Sequence, residues 1–229
     1  MPFVMLGLLF ALLVFAPQWW ARRTFKRHAE PLDRIPGTGA ELARHLLDRM
    51  GMKDVKVEAT KPGGDHYDPM TRTVRLSPDN HDQRSLTAVA VAAHEVGHAI
   101  QHHTNDPRLA LRTRMVTLAQ SAQQLGAAAM VVLPFAVAIT RAPGLGVLMF
   151  LIGLASMGMA TVVHFITLPV EVDASFNKAL PILREGGYIA AEDETAVRSI
   201  LRAAAYTYVA ASLASLLNIG RWIAMLRRA

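Results

Sequence analysis

The chain has 229 residues, which is enough for one or two domains, and it contains no cysteine. Disulfides and cysteine-ligated zinc or iron–sulfur sites are therefore excluded. Hydrophobic residues make up 52 % of the sequence and the mean hydropathy is +0.25, which predicts membrane spans. The net charge of +6 is not arranged as a basic face interleaved with aromatic residues, so no nucleic-acid partner is expected.

The N-terminal stretch predicts a membrane anchor over residues 1–21. This stretch has no charged side chain, and Trp19 and Trp20 close it at the expected membrane interface. A basic cluster over residues 22–27 follows the apolar run, whereas a secretory signal carries its positive charges before it. We therefore expect an uncleaved anchor with its basic end in the cytoplasm, or a helix lying at the membrane surface.

Residues 22–115 predict the catalytic part of the chain, on the cytoplasmic side. A helix is expected to begin at Thr38 or the following glycine and to end at Gly51. Alternating apolar and polar residues predict strands over 55–59 and 71–76, separated by a loop rich in proline and glycine. We expect these strands to form a β-hairpin or a small sheet.

The strongest chemical signal is the H-E-x-x-H motif that His94, Glu95 and His98 form. Ser85 is a suitable N-cap for an apolar helix over residues 86–101. Histidines four residues apart share one helix face and can bind one metal ion. Glu95 lies about 100° around the helix, where its carboxylate can act as a general base on water. The alternative is a core helix whose histidines are merely hydrogen-bonded.

The C-terminal half predicts further membrane helices. Residues 116–168 are expected to form a transmembrane hairpin around a tight turn at 141–144, which returns the chain to the cytoplasmic side. Pro169 is expected to break the helix and to start a new one over 169–202. Residues 203–229 form either one more span or a helix on the membrane surface.

A catalytic zinc ion usually has three protein ligands, so a third must come from elsewhere in the chain. Because cysteine is absent, the downstream candidates are His102, His103, His164, Glu171 and Asp173. Glu171 follows the predicted hairpin and so returns to the side of the metal helix, and Ser175 could hydrogen-bond its carboxylate. The alternative for Glu171 is a solvated glutamate in the first turn of a helix.

Three stretches resemble the YugP-like membrane zinc metallopeptidases: residues 65–77, 91–102 and 167–175. That family is similar to the HtpX-type and CAAX-protease gluzincins, which place a membrane hairpin between H-E-x-x-H and a ligand glutamate. The resemblance implies a mainly α integral membrane zincin with three to four membrane helices, a H-E-x-x-H helix and a small sheet.

The resemblance also implies the site residues. His94, His98 and Glu171 would bind one Zn²⁺ per chain, with Glu95 as the general base. Those relatives carry Asp where this chain has Ser175, which weakens the comparison at that position. Further candidates are Asp173 and Ser175 for orienting the ligands, and His66, Tyr67 and His164 for contacting substrate or a developing oxyanion.

These observations predict a zinc endopeptidase embedded in the prokaryotic inner membrane, with its catalytic part on the cytoplasmic side. Its partners would be the lipid bilayer and the membrane or membrane-associated proteins that it hydrolyses. The alternative is a catalytically idle, zinc-binding membrane scaffold, against which the intact Glu95 argues. A transport or channel subunit is disfavoured because the predicted spans carry no charged side chains.

Overall fold

The computed structural model of the chain describes residues 2–215, without the side chains of much of 2–14, of scattered positions over 123–164 and of 207–215. The fold within this range is mainly helical, with one small sheet. Its elements are α1 Pro2–Arg27, α2 Gly39–Arg49, β1 Lys56–Ala59, β2 His66–Asp68, β3 Thr73–Leu76, α3 Pro78–His81, α4 Leu86–His103, α5 Pro107–Thr140, α6 Pro143–Val172, a π-helix Asp173–Ala179, α7 Leu180–Glu185, a 3₁₀ helix Ala191–Asp193 and α8 Glu194–Ser215.

The sheet has the strand order β1-β3-β2. Strand β1 pairs with β3 in parallel and β2 pairs with β3 antiparallel. The expected small sheet is confirmed, but β1 and β3 do not form a hairpin with each other. The hairpin is instead β2–β3, whose tight turn Asp68 stabilises by accepting hydrogen bonds from the backbone N–H groups of Met70 and Thr71.

Helix α2 has the predicted ends. Thr38 is its N-cap, and the Thr38 hydroxyl and the Glu41 carboxylate each accept a hydrogen bond from the other residue's backbone N–H, which is a capping box. Gly51 follows the helix with a φ of +74°, a conformation that favours glycine.

Helix α4 occupies the centre of the core. The Ser85 hydroxyl accepts a hydrogen bond from the Ala88 N–H at 3.1 Å, which confirms the predicted N-cap. Every residue from 86 to 99 is buried, because α2, α8, the sheet and the π-helix all pack against α4. The closest approach is at Gly97, where a Cβ atom would lie only 2.7 Å from the Ala174 carbonyl oxygen.

Helices α5 and α6 form an antiparallel pair around the predicted turn. The chain does not break at Pro169, which lies inside α6. It continues into the π-helix instead, so the expected helix start at this proline is wrong. Wider π-helical turns change the direction in which the side chains after residue 172 point.

The structure corrects the prediction of three to four membrane helices. Within the part of the chain that is described, no helix is long and apolar enough to cross a membrane. The predicted spans are free of charged side chains over most of their length, but a membrane span requires about 20 predominantly apolar residues. Polar side chains such as Gln120, Ser121 and Gln124 interrupt α5, and Arg198 and Arg202 lie on α8.

The membrane location expected from the sequence is corrected together with the predicted membrane helices, because it depended on them. The anchor, the hairpin, the bilayer as a partner and the orientation in a prokaryotic inner membrane all depended on helices that cross a membrane. The C-terminal segment expected over 203–229 is described only to residue 215, where it is part of α8. Its last 14 residues, 216–229, lie outside the described residues.

Candidate metal centre

Two histidines and one glutamate converge at the contact between α4 and the end of α6. The Nε2 atoms of His94 and His98 each lie 3.2 Å from the Glu171 Oε2 atom. All three side chains are buried, and their candidate ligand atoms lie within 4.8 Å of one another. Within the described residues, this is the group of histidine and acidic side chains that could hold a metal ion.

The local fold explains this convergence. One turn of α4 separates His94 from His98, so both imidazoles project from the same face. Glycine at position 97 lets the start of the π-helix approach α4 closely, next to Ala174. Glu171 stands one turn before that contact, and its carboxylate therefore lies opposite the two imidazoles.

Gln101 determines which nitrogen of His98 carries a proton. Its amide nitrogen donates to the Val170 carbonyl and to the Asp173 carboxylate, both at 2.9 Å, which fixes the orientation of the amide. The Gln101 Oε1 atom then accepts a hydrogen bond from the His98 Nδ1–H at 2.9 Å. A neutral His98 consequently presents the lone pair of its Nε2 atom to Glu171.

Ser175 determines which nitrogen of His94 carries a proton. The Ser175 hydroxyl donates to the Leu201 carbonyl at 3.3 Å, and its oxygen lies 2.9 Å from the His94 Nδ1 atom. With its own proton given to Leu201, Ser175 accepts from the His94 Nδ1–H. The sequence-based expectation was a contact with Glu171. The hydroxyl contacts His94 instead, because the π-helix redirects it.

The three atoms fit a divalent metal ion. Zinc lies about 2.0–2.1 Å from imidazole and carboxylate ligands, so two ligands of a tetrahedral site are about 3.3 Å apart. The observed separations between each Nε2 atom and the Glu171 Oε2 atom are both 3.2 Å. When neither Nε2 atom carries a proton, the two imidazole lone pairs and the Glu171 carboxylate repel each other. A cation between them removes this repulsion.

The second oxygen of Glu171 contacts an arginine. Arg112 of α5 places its Nη2 atom 3.1 Å from the Glu171 Oε1 atom. Burial by itself raises the pKa of Glu171, but the positive charge that His98 and His94 carry when protonated favours the carboxylate and lowers this pKa well below its usual range. Glu171 is therefore an anion that presents one oxygen to the imidazoles and the other to Arg112.

Asp173 belongs to the surroundings of the site. Its side chain is 5 % exposed, and it accepts hydrogen bonds from Gln101 and from the Asn177 amide at 2.9 Å. Lys178 lies 3.3 Å from its Oδ2 atom. Burial raises the pKa of Asp173, but the Gln101 hydrogen bond and these neighbours lower it overall. Asp173 thus orients His98 through Gln101.

Glu95 lies beside His94 and is 6 % exposed. Burial raises the pKa of Glu95 to about 7, with His94 acting in the opposite direction and the Glu171 charge in the same one. A carboxyl group with a pKa near neutrality can both accept and release a proton at physiological pH. This property distinguishes Glu95 from Glu171, although both are buried.

A cleft of about 720 Å³ has His94 and Glu95 among its lining residues. The end of helix α1, the segment around Asp65 and Ser77, and Ala204 of α8 also line the cleft. Asp65 is held in place because Ser77 donates to it from both its backbone N–H at 2.7 Å and its hydroxyl at 2.9 Å. The volume is typical of ligand clefts in enzymes.

Two of the residues expected to contact substrate, His66 and Tyr67, make contacts elsewhere in the structure. The Tyr67 hydroxyl is 2.8 Å from the His102 Nδ1 atom, and the exposed His66 contacts the Gly64 carbonyl. Neither His66 nor Tyr67 is among the described residues that line the cleft. The side chain of His164 lies outside the description, and His103 is exposed in the last turn of α4.

Sequence reasoning missed two residues of the site, Gln101 and Arg112. Gln101 lies three residues after His98 in an apolar helix, and a buried amide there is a signal for a polar partner. Arg112 offers no comparable local signal, because its contact with Glu171 depends on how α5 packs against α6.

The described site has two histidines and one glutamate that could hold a metal ion, an arrangement typical of one class of metalloproteins. The chain belongs to the family described as "Putative neutral zinc metallopeptidase", whose family model matches residues 3–227. It is 36 % identical over 225 residues to the protein named "Putative membrane protease YugP" of Bacillus subtilis (strain 168), and the match covers 96 % of each chain. No solved structure gives a significant match.

Proposed function

We propose that the chain is a zinc-dependent endopeptidase in which His94, His98 and Glu171 bind the ion and Glu95 is the general base. The observation that carries this proposal is the convergence of both Nε2 atoms on one carboxylate oxygen, 3.2 Å away, beside a cleft that Glu95 also lines. Membership of a zinc metallopeptidase family supports the choice of metal and of reaction class.

The chemistry would divide among these groups as follows. Zinc, when bound, supplies a Lewis acid that polarises a carbonyl group and acidifies water. Glu95 accepts the proton of the water that attacks the carbonyl carbon of the scissile peptide bond. It then passes this proton to the amine nitrogen as the C–N bond breaks, and Glu95 is again a carboxylate.

The neighbouring residues hold the ligands in position. Gln101 and Ser175 each accept a hydrogen bond from one imidazole Nδ1–H, which leaves both Nε2 atoms free to bind the ion. Arg112 holds the Glu171 Oε1 atom, so that Oε2 faces the histidines. The cleft has room for a short extended stretch of a protein or peptide substrate.

The test is hydrolysis of an unstructured protein such as casein by protein loaded with one zinc ion per chain. We expect cleavage that stops on removal of zinc by a chelator and returns on its addition. Glu95→Gln should retain zinc and the fold but lose activity by about 10²-fold or more. Glu192→Gln, at an exposed position away from the cleft, is the matched control. Full activity of Glu95→Gln would refute the proposed role.

A further inference from the structure

The basic cluster over residues 22–27 borders the candidate site. In the structure the cluster forms the last turns of α1. Arg22 and Lys26, one turn apart, line the cleft that also contains His94 and Glu95.

The other two basic residues of the cluster, Arg23 and Arg27, are not among the described residues of the cleft. The Arg23 guanidinium lies over the Trp19 ring, 5.2 Å from its centre. Arg23 and Arg27 border a shallow surface depression with Trp19, and Arg22 and Lys26 border this depression as well as the cleft. Arg22 and Lys26 are therefore the two cations of the cluster that line the cleft with His94 and Glu95.

Among the described residues, neither Arg22 nor Lys26 forms an ion pair with an acidic side chain. Other arginines of the described chain do form such pairs, for example Arg34 with Asp193 at 2.6 Å. Asp65, a carboxylate that also lines the cleft, accepts hydrogen bonds from Ser77.

We propose that Arg22 and Lys26 form a substrate subsite that binds a carboxylate of the peptide, close to the bond that is cut. This inference rests on the proposed peptidase function and adds the charge class of the substrate. The two side chains line the cleft together with Ala21 and Phe25 of the same helix, which provide an apolar surface for the substrate backbone. Complementary charge then selects peptides with Asp or Glu at this position.

The experiment compares matched peptides of one sequence, with both ends blocked, that carry Glu, Gln or Lys at each of three positions on either side of the scissile bond. A fourth peptide carries Gln and a free C-terminal carboxylate, to distinguish a side chain from a chain end. We expect kcat/KM to favour Glu over Lys at one or more positions. Each of Arg22→Glu and Lys26→Glu should reduce that ratio by about five- to tenfold.

Arg23→Glu is the control, since it reverses one charge on the same helix but outside the cleft. It should leave the ratio within about twofold of the unsubstituted protein, apart from a general electrostatic effect that salt screens. Equal cleavage of Glu and Lys peptides by the unsubstituted protein would overturn the proposal. An equal effect of Arg23→Glu and Arg22→Glu would overturn it as well.

Peptide binding separates this proposal from the proposed function. Zinc-loaded Glu95→Gln is mixed with fluorescent peptides, and Kd is measured by anisotropy without turnover. Tighter binding of the Glu peptide that Arg22→Glu abolishes supports the subsite even if no peptide is hydrolysed. Cleavage without any charge preference in Kd or kcat/KM refutes the subsite and leaves the peptidase function standing.

Discussion

Gln101 allows the sharpest test of how the histidines are oriented. Gln101→Leu keeps the approximate size of the side chain but removes three hydrogen bonds, those with His98, Val170 and Asp173. In this variant Asp173 keeps its hydrogen bond from Asn177 and its ion pair with Lys178. The Val170 carbonyl still accepts a hydrogen bond from a backbone N–H. The His98 Nδ1–H is therefore the group that loses its hydrogen-bond partner. One buried donor without a partner costs about 1–3 kcal/mol, and the whole change about 2–4 kcal/mol.

The effect on the metal follows from the same geometry. Without Gln101 the His98 ring can rotate or change its tautomer, and its Nε2 lone pair no longer faces Glu171 all the time. Loss of such a partner typically weakens metal binding by about 10–100-fold. We expect the zinc Kd, measured by competition with a chromophoric chelator, to rise by that factor, and urea unfolding to show the loss of stability.

Two further variants isolate the cause. Gln101→Glu keeps an acceptor for the His98 Nδ1–H but places a second carboxylate next to Asp173, so it should bind zinc strongly while losing stability. Gln120→Leu makes the same change at an exposed position on α5 and should alter neither quantity. If Gln101→Leu binds zinc within about twofold of the unsubstituted protein, the tautomer argument fails.

Three more substitutions test the surroundings of the site. Ser175→Ala removes the acceptor of the His94 Nδ1–H, so the zinc Kd should rise by about tenfold in the chelator competition assay. Gly97→Ala places a Cβ atom 2.7 Å from the Ala174 oxygen, and thermal unfolding should show a loss of about 1–3 kcal/mol. Arg112→Met should destabilise the zinc-free protein by about 2 kcal/mol, and zinc should stabilise this variant more than the unsubstituted protein. An equal zinc-induced shift would contradict the ion pair.

Helix α4 shows what local sequence information predicts well. Its N-cap at Ser85, its apolar length and the spacing of its histidines are all short-range features, and the structure reproduces them. The same holds for α2, whose capping residues Thr38 and Glu41 are three apart. Local hydrogen bonds and periodicity decide such elements, so a single sequence suffices for them.

Features that depend on distant parts of the chain were predicted less well. Strand β1 pairs in parallel with β3, and β2 lies in the loop between them. The alternating residues over 55–59 and 71–76 predict two strands but neither their parallel pairing nor the strand β2. The contact between Ser175 and His94 depends on the π-helix, for which the sequence offers no recognised signal. The membrane helices were wrong because a run without charges was equated with a run apolar enough to span a bilayer.

The role of each site residue remains a prediction that metal analysis can decide. Glu171 is assigned as a ligand and Glu95 as a base, and the two roles make opposite demands on zinc binding. Both carboxylates are buried, but only Glu171 lies with both histidine Nε2 atoms in the described group that could hold a metal ion, whereas Glu95 lines the cleft. Removing a ligand should release the metal, whereas removing a base should stop only the reaction.

The most direct measurement is therefore the number of zinc ions bound per chain in Glu171→Ala, Glu171→Gln and Glu95→Gln, each checked for folding by circular dichroism. We predict one zinc ion in the unsubstituted protein and in Glu95→Gln, and a large loss of zinc in both Glu171 variants, with the isosteric Glu171→Gln guarding against a folding defect. A folded Glu171→Gln protein that binds zinc as tightly as the unsubstituted one would contradict the metal centre proposed for this chain, as would loss of zinc from Glu95→Gln alone.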